Sequence, residues 1–466
     1  MTPALEKLRA ALGAPRDAAS LAAFRVLLGA VMVVSVARYF AYGWIDAFYV
    51  RPIFTFQYWG FGWVRPLPEP YLTAVFAVLL VAAVCVTLGL FYRVATITFF
   101  ALFSYVALLD VTRYLNHYYL VILLSGILCV LPLHACWSLD ALRDRAIRRA
   151  TLPAWMLYWL RFQVGVVYVF AGLAKVGPDW LVDAQPLGIW LSSRTEAPLL
   201  GSLFGLPFVP VLMAWAGCLY DLTIPFWLSR EKTRPYAFAV LCAFHLTTHL
   251  LFDIGIFPIL MTVAATVFFD PSWPRRLADR IRRLVGRAPS AEPDRPAAEA
   301  RMLPRWGLAL LGLYALVQLV VPLRSHLYSG DVLWHEQGMR WSWRVMLHEK
   351  NGRVEYRVRR GPTEREVRVS PRRYLTEDQE REFGAQPDLI LQLAHHIAER
   401  ERAAGHPDVE VRVDAWASLN GRRSARLIDP SVDLAKVDDS VLPAQWILPL
   451  PHGRPAGSGH RYAELF

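Results

Sequence analysis

The chain has 466 residues, 55% hydrophobic and only 19% charged, with a formal net charge of +11 and a mean hydropathy of +0.30. Its 17 tryptophans, 32 prolines and long apolar runs exclude extensive disorder and a coiled coil. Of its 89 charged residues, 43 fall in the last 144 positions, so an apolar body precedes a polar tail.

In chain order, apolar stretches near the roughly 20 residues that cross a bilayer run over residues 21–42, 71–91, 94–109, 118–134, 155–174, 203–228, 236–252, 255–269 and 304–321. The cleanest is 71–91, which carries no charge. The first is interrupted by Arg25 and Arg38 and is followed by no small-residue cleavage pattern, so it does not read as a cleaved signal peptide. Counting Lys and Arg in alternate loops gives 19 on the side of the N-terminus and 5 on the other. That asymmetry predicts about nine spans, a cytoplasmic N-terminus and a non-cytoplasmic tail. It also accounts for the basic balance without nucleic acid, since most basic residues of the body flank apolar runs.

Residues 271–303, rich in Arg, Pro and Ala, read as a basic cytoplasmic linker inside a transmembrane domain of residues 1–322. From 323 to 466 the periodicity changes to two, predicting strands over 344–348, 353–357, 366–369 and 409–416. Asn351-Gly352 reads as a hairpin turn between the first two, and 388–401 has helical spacing. The predicted fold is a polytopic α-helical membrane protein with a C-terminal β-rich soluble domain containing one helix. The five cysteines lie in or beside apolar runs, form no CxxC and read as buried thiols.

Polar and ionisable groups inside a bilayer are costly and mark function by default. Arg25, Arg38, Asp110, Asn116, His117, Arg161, Lys175, Asp221, His245 and His249 are such groups. Lys175, which closes Tyr168-Val-Phe-Ala-Gly-Leu-Ala-Lys175, has two readings: an ammonium snorkelling to headgroups, or a general base made available by desolvation. His117 is either an ordinary interfacial histidine or, beside Asn116, part of a site that holds and protonates an oxyanion. Arg161 and Asp221 suit a structural ion pair between spans. His245 and His249 have the spacing of a metal pair, but no Glu or Asp completes a motif such as His-Glu-x-x-His, so no metal is called for. No phosphate-binding glycine loop, dinucleotide fingerprint or nucleophile elbow occurs.

Four stretches go further. They are Leu109-Asp-Val-Thr-Arg-Tyr-Leu-Asn-His117-Tyr-Tyr-Leu with Trp137-Ser-Leu-Asp140; Val169-Phe-Ala-Gly-Leu-Ala-Lys175-Val-Gly-Pro-Asp-Trp180; and Phe244-His-Leu-Thr-Thr-His-Leu-Leu-Phe-Asp-Ile-Gly-Ile-Phe-Pro258 with Pro271-Ser-Trp-Pro274. The last is Trp341-Ser-Trp-Arg-Val-Met-Leu-His348 with Asp414-Ala-Trp-Ala-Ser-Leu-Asn-Gly-Arg422 and Arg426-Leu-Ile-Asp-Pro430. Together, and in this order, they resemble the vitamin K-dependent gamma-carboxylase family with its HTTM-type membrane domain. The resemblance implies γ-carboxylation of glutamyl residues in a protein or peptide, coupled to epoxidation of reduced vitamin K or a menaquinol-type hydroquinone, with O2 and CO2 as co-substrates. It implies Lys175 as the base toward the quinol, and Asn116 and His117 as catalytic residues that also bind the cofactor. It further implies His245 as a cofactor contact, and Arg194, Trp343 and His348 as contacts to the acceptor glutamate.

The sequence departs from animal members in three ways. It ends soon after Trp446, its cysteines do not match their disulfide, and Met339 stands where they have a tyrosine. Two other functions therefore stay open: a quinol epoxidase or oxidase without a protein acceptor, and a non-enzymatic membrane scaffold. The high Arg, Ala and Pro content suits a bacterial inner-membrane protein of a high-GC genome.

Overall fold

The computed structural model describes residues 3–196, 201–288, 302–451 and 453. Parts of the predicted linker and the C-terminal end of the tail lie outside these. Helix α1 (Pro3–Gly13) leads into a short strand β1 (Pro15–Asp17), which pairs antiparallel with β2 (Thr151–Pro153). The apolar body comprises α2 (Ala19–Ala41), α3 (Tyr71–Leu88), α4 (Tyr92–Leu108), α5 (Asn116–Val130), α6 (Ala154–Leu173), α7 (Phe208–Ser229), α8 (Arg234–Leu251) and α9 (Phe257–Ala265). After α10 (Trp273–Leu284), α11 (Arg305–Leu323) adds one more apolar helix.

Among the described residues five helices are long and apolar enough to cross a membrane: α2, α3, α6, α7, and α11 with the turn that follows it. Helices α4 and α5 are shorter, with 17 and 15 residues. At 1.5 Å per residue α5 reaches only about 22 Å, short of a hydrocarbon core of about 30 Å. The predicted span at 255–269 becomes a nine-residue α9 followed by a 3-10 turn. That at 203–228 is divided by Pro207, with a separate short helix at Gly201–Phe204.

Two of the intramembrane cations close helix ends. Arg25 is fully buried and donates to the carbonyls of Val86 (2.8 Å), Thr87 (2.6 Å) and Trp137 (2.5 Å). These include orphan acceptors at the C-terminus of α3. Gly89 follows that helix in the left-handed region (φ 63°), and a Cβ there would lie 2.7 Å from the Arg25 guanidinium. Arg161 donates to the carbonyls of Val267, Phe268 and Phe269. The expected Arg161–Asp221 pair does not form, because these carbonyls beyond α9 already occupy the guanidinium.

In the tail, β3 (Lys350–Arg359), β4 (Val367–Val369), β5 (Glu410–Leu419) and β6 (Ala425–Arg426) form one antiparallel sheet in the order β4-β3-β5-β6. Residues Val411, Val413, Ala415, Ala417 and Leu419 of β5 are all buried, the period-two face that the sequence announces. Helices α12 (Glu377–Phe383) and α13 (Pro387–Ala403) accompany the sheet, and Leu389, Ile390, Leu393, Ala394 and Ile397 of α13 join its core.

The predicted hairpin at Asn351-Gly352 is wrong. Both residues lie inside β3, paired with Ser418 and Ala417, and 344–348 is not a strand. Gly352 is there for close approach: a Cβ would stand 1.9 Å from the Gly384 carbonyl oxygen at the end of α12. Phe56, Tyr58 and Val111, from loops of the membrane body, enter the tail's core, and Gln57 and Gln392 exchange two hydrogen bonds of 2.9 Å. No disulfide joins any of the five cysteines.

Candidate functional site

Helices α6 and α7 approach unusually closely at Gly172, where a Cβ would sit 2.8 Å from the Leu222 backbone nitrogen. That contact sets Asp221 of α7 beside Lys175, just past the end of α6. Lys175 Nζ donates to Asp221 Oδ2 at 2.7 Å and to the Ala171 carbonyl at 3.2 Å. Both side chains are 8% exposed. The Trp180 ring centroid lies 5.3 Å from the ammonium, and its indole N–H is tied to the Ala214 carbonyl. Removing either charge would strand the other in an apolar surrounding, so the two form one unit. Lys175 is therefore not a snorkelling lysine.

Two turns before Lys175, the Tyr168 hydroxyl meets His245 Nε2 of α8 at 3.0 Å. Among the described residues His245 Nδ1 is buried without a hydrogen-bond partner, and the Tyr220 ring packs against Tyr168 and Phe244. His249, one turn on, is exposed, so the two histidines do not converge on a common point. Lys175, Asp221, Tyr168 and His245 line a narrow chamber of about 100 Å³ whose remaining walls are largely aromatic and aliphatic.

A second, roomier chamber of about 520 Å³ contains Asn116, His117, Arg38 and Arg113. Asn116, at the start of α5, donates to the Arg344 carbonyl (3.1 Å) and accepts from the Tyr114 hydroxyl (3.1 Å), which fixes its amide orientation. His117 is buried and has no hydrogen-bond partner among the described residues. Ile254, Phe257, Val345 and Met346 face both chambers and form the wall between them. The Phe257 ring centroid lies 6.0 Å from that of His117 and 6.1 Å from that of His245. The two imidazoles therefore sit within about 12 Å of each other across one phenyl ring.

The three residues expected to contact the acceptor line neither chamber. Arg194 is exposed and lines neither chamber. Trp343 is 1% exposed and stacks on Tyr119 at 4.8 Å. His348 sits 4.0 Å from Glu336 beside the buried Lys350. Between Trp343 and His348, Val345 and Met346 line both chambers. Asp221 is the functional candidate that sequence reasoning misassigned. An intramembrane aspartate and lysine on successive spans were the available signal, but Arg161 offered an equally plausible partner.

A membrane-embedded helical body with a buried ion pair and two polar-tipped chambers beneath a small β-sheet domain defines a class of integral membrane protein. Comparison with known families is consistent with that description. The HTTM domain model matches residues 14–273, and that of the vitamin K-dependent gamma-carboxylase lumenal domain matches residues 303–453. The chain belongs to the vitamin K-dependent gamma-carboxylase family. No solved structure matches it.

Proposed function

We propose that this protein is a quinol- and O2-dependent γ-glutamyl carboxylase that couples carboxylation to quinol epoxidation. The observation that carries the reading is the buried Lys175–Asp221 pair in an apolar chamber, one phenyl ring from the chamber of Asn116 and His117. The first chamber offers a hydroquinone hydroxyl an apolar approach to Lys175, and the adjoining chamber of about 520 Å³ has the size of a small-molecule site. Reduced vitamin K or a menaquinol-type hydroquinone would supply, together with O2, a base strong enough to take the γ-proton of glutamate, after which CO2 adds to the acceptor.

The chain's own residues prepare that chemistry. A proton moving along the 2.7 Å hydrogen bond from Lys175 Nζ to Asp221 Oδ2 leaves a neutral amine able to accept a hydroxyl proton. Asp221 thus makes the base available without requiring an isolated lysine to shed its charge. His245, held through Nε2 by Tyr168, keeps an Nδ1 without a protein partner that would be available to a hydroquinone hydroxyl. The clamped Asn116 amide and the His117 imidazole supply polar contacts where negative charge develops. The surrounding apolar walls keep water from quenching a strong base.

The same reading includes nine membrane crossings, the shorter ones accommodated by local thinning of the bilayer. It places the N-terminus in the cytoplasm of a bacterial cell and a domain of residues 323–466 on the other side of the inner membrane, with residues 1–322 as the membrane domain. The excess of Lys and Arg on the N-terminal side supports this orientation. Purified protein in nanodiscs, given vitamin K hydroquinone, O2, bicarbonate and a glutamyl peptide, should yield both quinone epoxide and a peptide heavier by one CO2. Epoxide without peptide carboxylation would favour an epoxidase lacking a protein acceptor. Neither product would remove the enzymatic reading for this quinol and peptide.

A further inference from the structure

The stretch after α9, expected as an exposed linker, begins with a helix of marked two-sidedness. In α10 (Trp273–Leu284) and the next residue, a turn of about 100° per residue places Trp273, Pro274, Leu277, Ala278, Ile281, Leu284 and Val285 within about 140° of the helix circumference. Arg275, Arg276, Arg280, Arg282 and Arg283, with Asp279, occupy the opposite side. The first turn is anchored: Arg275 pairs with Asp17 at 2.8 Å, Arg276 with Asp270 at 3.0 Å, and Pro274 is buried. Beyond it the apolar face is uncovered, with Leu277 48%, Ile281 52%, Leu284 85% and Val285 64% exposed. Arg280, Arg282 and Arg287 meet no acidic side chain among the described residues.

We infer that α10 is an interfacial helix that binds anionic lipid headgroups in the leaflet on the side of the N-terminus, with Leu277, Ile281 and Leu284 inserted among the acyl chains. Three observations converge on a lipid occupant. The apolar and cationic faces are segregated along the whole helix, the pattern of helices that lie in a membrane surface. The helix is joined at its first turn to the apolar body, through Trp273 against Phe269 and Arg275 against Asp17 at the entry to α2, which places it at a membrane boundary. The unpaired guanidiniums complement phosphate, and juxtamembrane basic clusters gain affinity from each Lys or Arg near an anionic surface. A soluble acidic protein would complement the arginines but leave the apolar face in water.

The test compares the full-length protein in nanodiscs of phosphatidylcholine with nanodiscs containing phosphatidylglycerol, by hydrogen–deuterium exchange of peptides covering 273–285. Exchange there should slow on the order of tenfold with phosphatidylglycerol. The protection should vanish at high salt and in the triple variant Arg280→Gln, Arg282→Gln, Arg283→Gln. Equal exchange in both lipids would overturn the proposal. Protection that appears only as protein concentration rises would also overturn it, in favour of a second copy covering the face. Exchange in α2 and α6 serves as the control that the variant is folded.

Discussion

Lys175 and Asp221 illustrate how burial changes what a side chain can do. An ammonium in an apolar chamber requires a counter-charge, and Asp221 supplies it at 2.7 Å. The same hydrogen bond gives the proton somewhere to go. Asp221→Asn should lower quinol epoxidation roughly 100-fold, the lower range for loss of acid–base assistance, whereas Asp221→Glu should retain part of the rate. Initial rates across pH in nanodiscs would check this, and full activity in the asparagine variant would remove Asp221 from the proton path. Another titrating residue makes a separate prediction. Burial holds the His348 imidazole below its ordinary 6.5, with Glu336 opposing and Lys350 reinforcing the effect. A histidine neutral in the folded chain and protonated in the unfolded one contributes fully above 6.5 and loses that contribution as pH falls toward the folded value. Stability should therefore decline on acidification below 6.5 by up to about 1.4 kcal/mol per pH unit. Thermal unfolding of wild type and His348→Gln should show a shallower decline in the variant.

Among the elements, those with long periodic patterns were legible in advance: the five long apolar helices, the alternation of β5 and the helical spacing of α13. Local signals were less secure because tertiary contacts override them. Asn351-Gly352 has the composition of a hairpin turn, yet Gly352 serves a backbone crossing against Gly384 in the middle of β3. Gly352→Ala should consequently cost more than a strand glycine usually does. Backbone cannot yield as a side-chain tip can, so a loss of about 1–3 kcal/mol is expected, read as a fall in the unfolding midpoint of the full chain. An unchanged midpoint would show that the two backbones separate freely. The Arg161–Asp221 pairing failed for a related reason. Charge and span order reveal which groups need partners, but not that carbonyls past α9 would meet one of them.

For the whole molecule, the sequence divides at the change of periodicity, whereas the packing does not respect a simple cut. Phe56, Tyr58 and Val111 complete the tail's core, and Asp179, four residues after Lys175, binds the tail through Arg422 (2.6 and 2.7 Å) and Asn420 (2.8 Å). Trp190 adds a 2.7 Å hydrogen bond to Glu349. These contacts lie too far apart in sequence for any local pattern to announce. They couple the position of the tail to the loop that carries Lys175. Arg422→Ala should destabilise the protein by about 1.5–3 kcal/mol, as expected for lost hydrogen bonds to a charged group. It should also raise the KM for a glutamyl peptide more than it lowers quinol binding. Equal changes in both would indicate general loosening.

The most direct test of the account is the quinone product formed by Lys175→Arg. Arginine can keep an ion pair with Asp221 and so preserve folding, but its guanidinium does not become a neutral base at physiological pH. Mass spectrometry of nanodisc reactions with vitamin K hydroquinone and O2 should find epoxide with wild type and none above background with Lys175→Arg of matched thermal stability. Epoxide formed by the arginine variant at the wild-type rate would contradict the assignment of the base to Lys175.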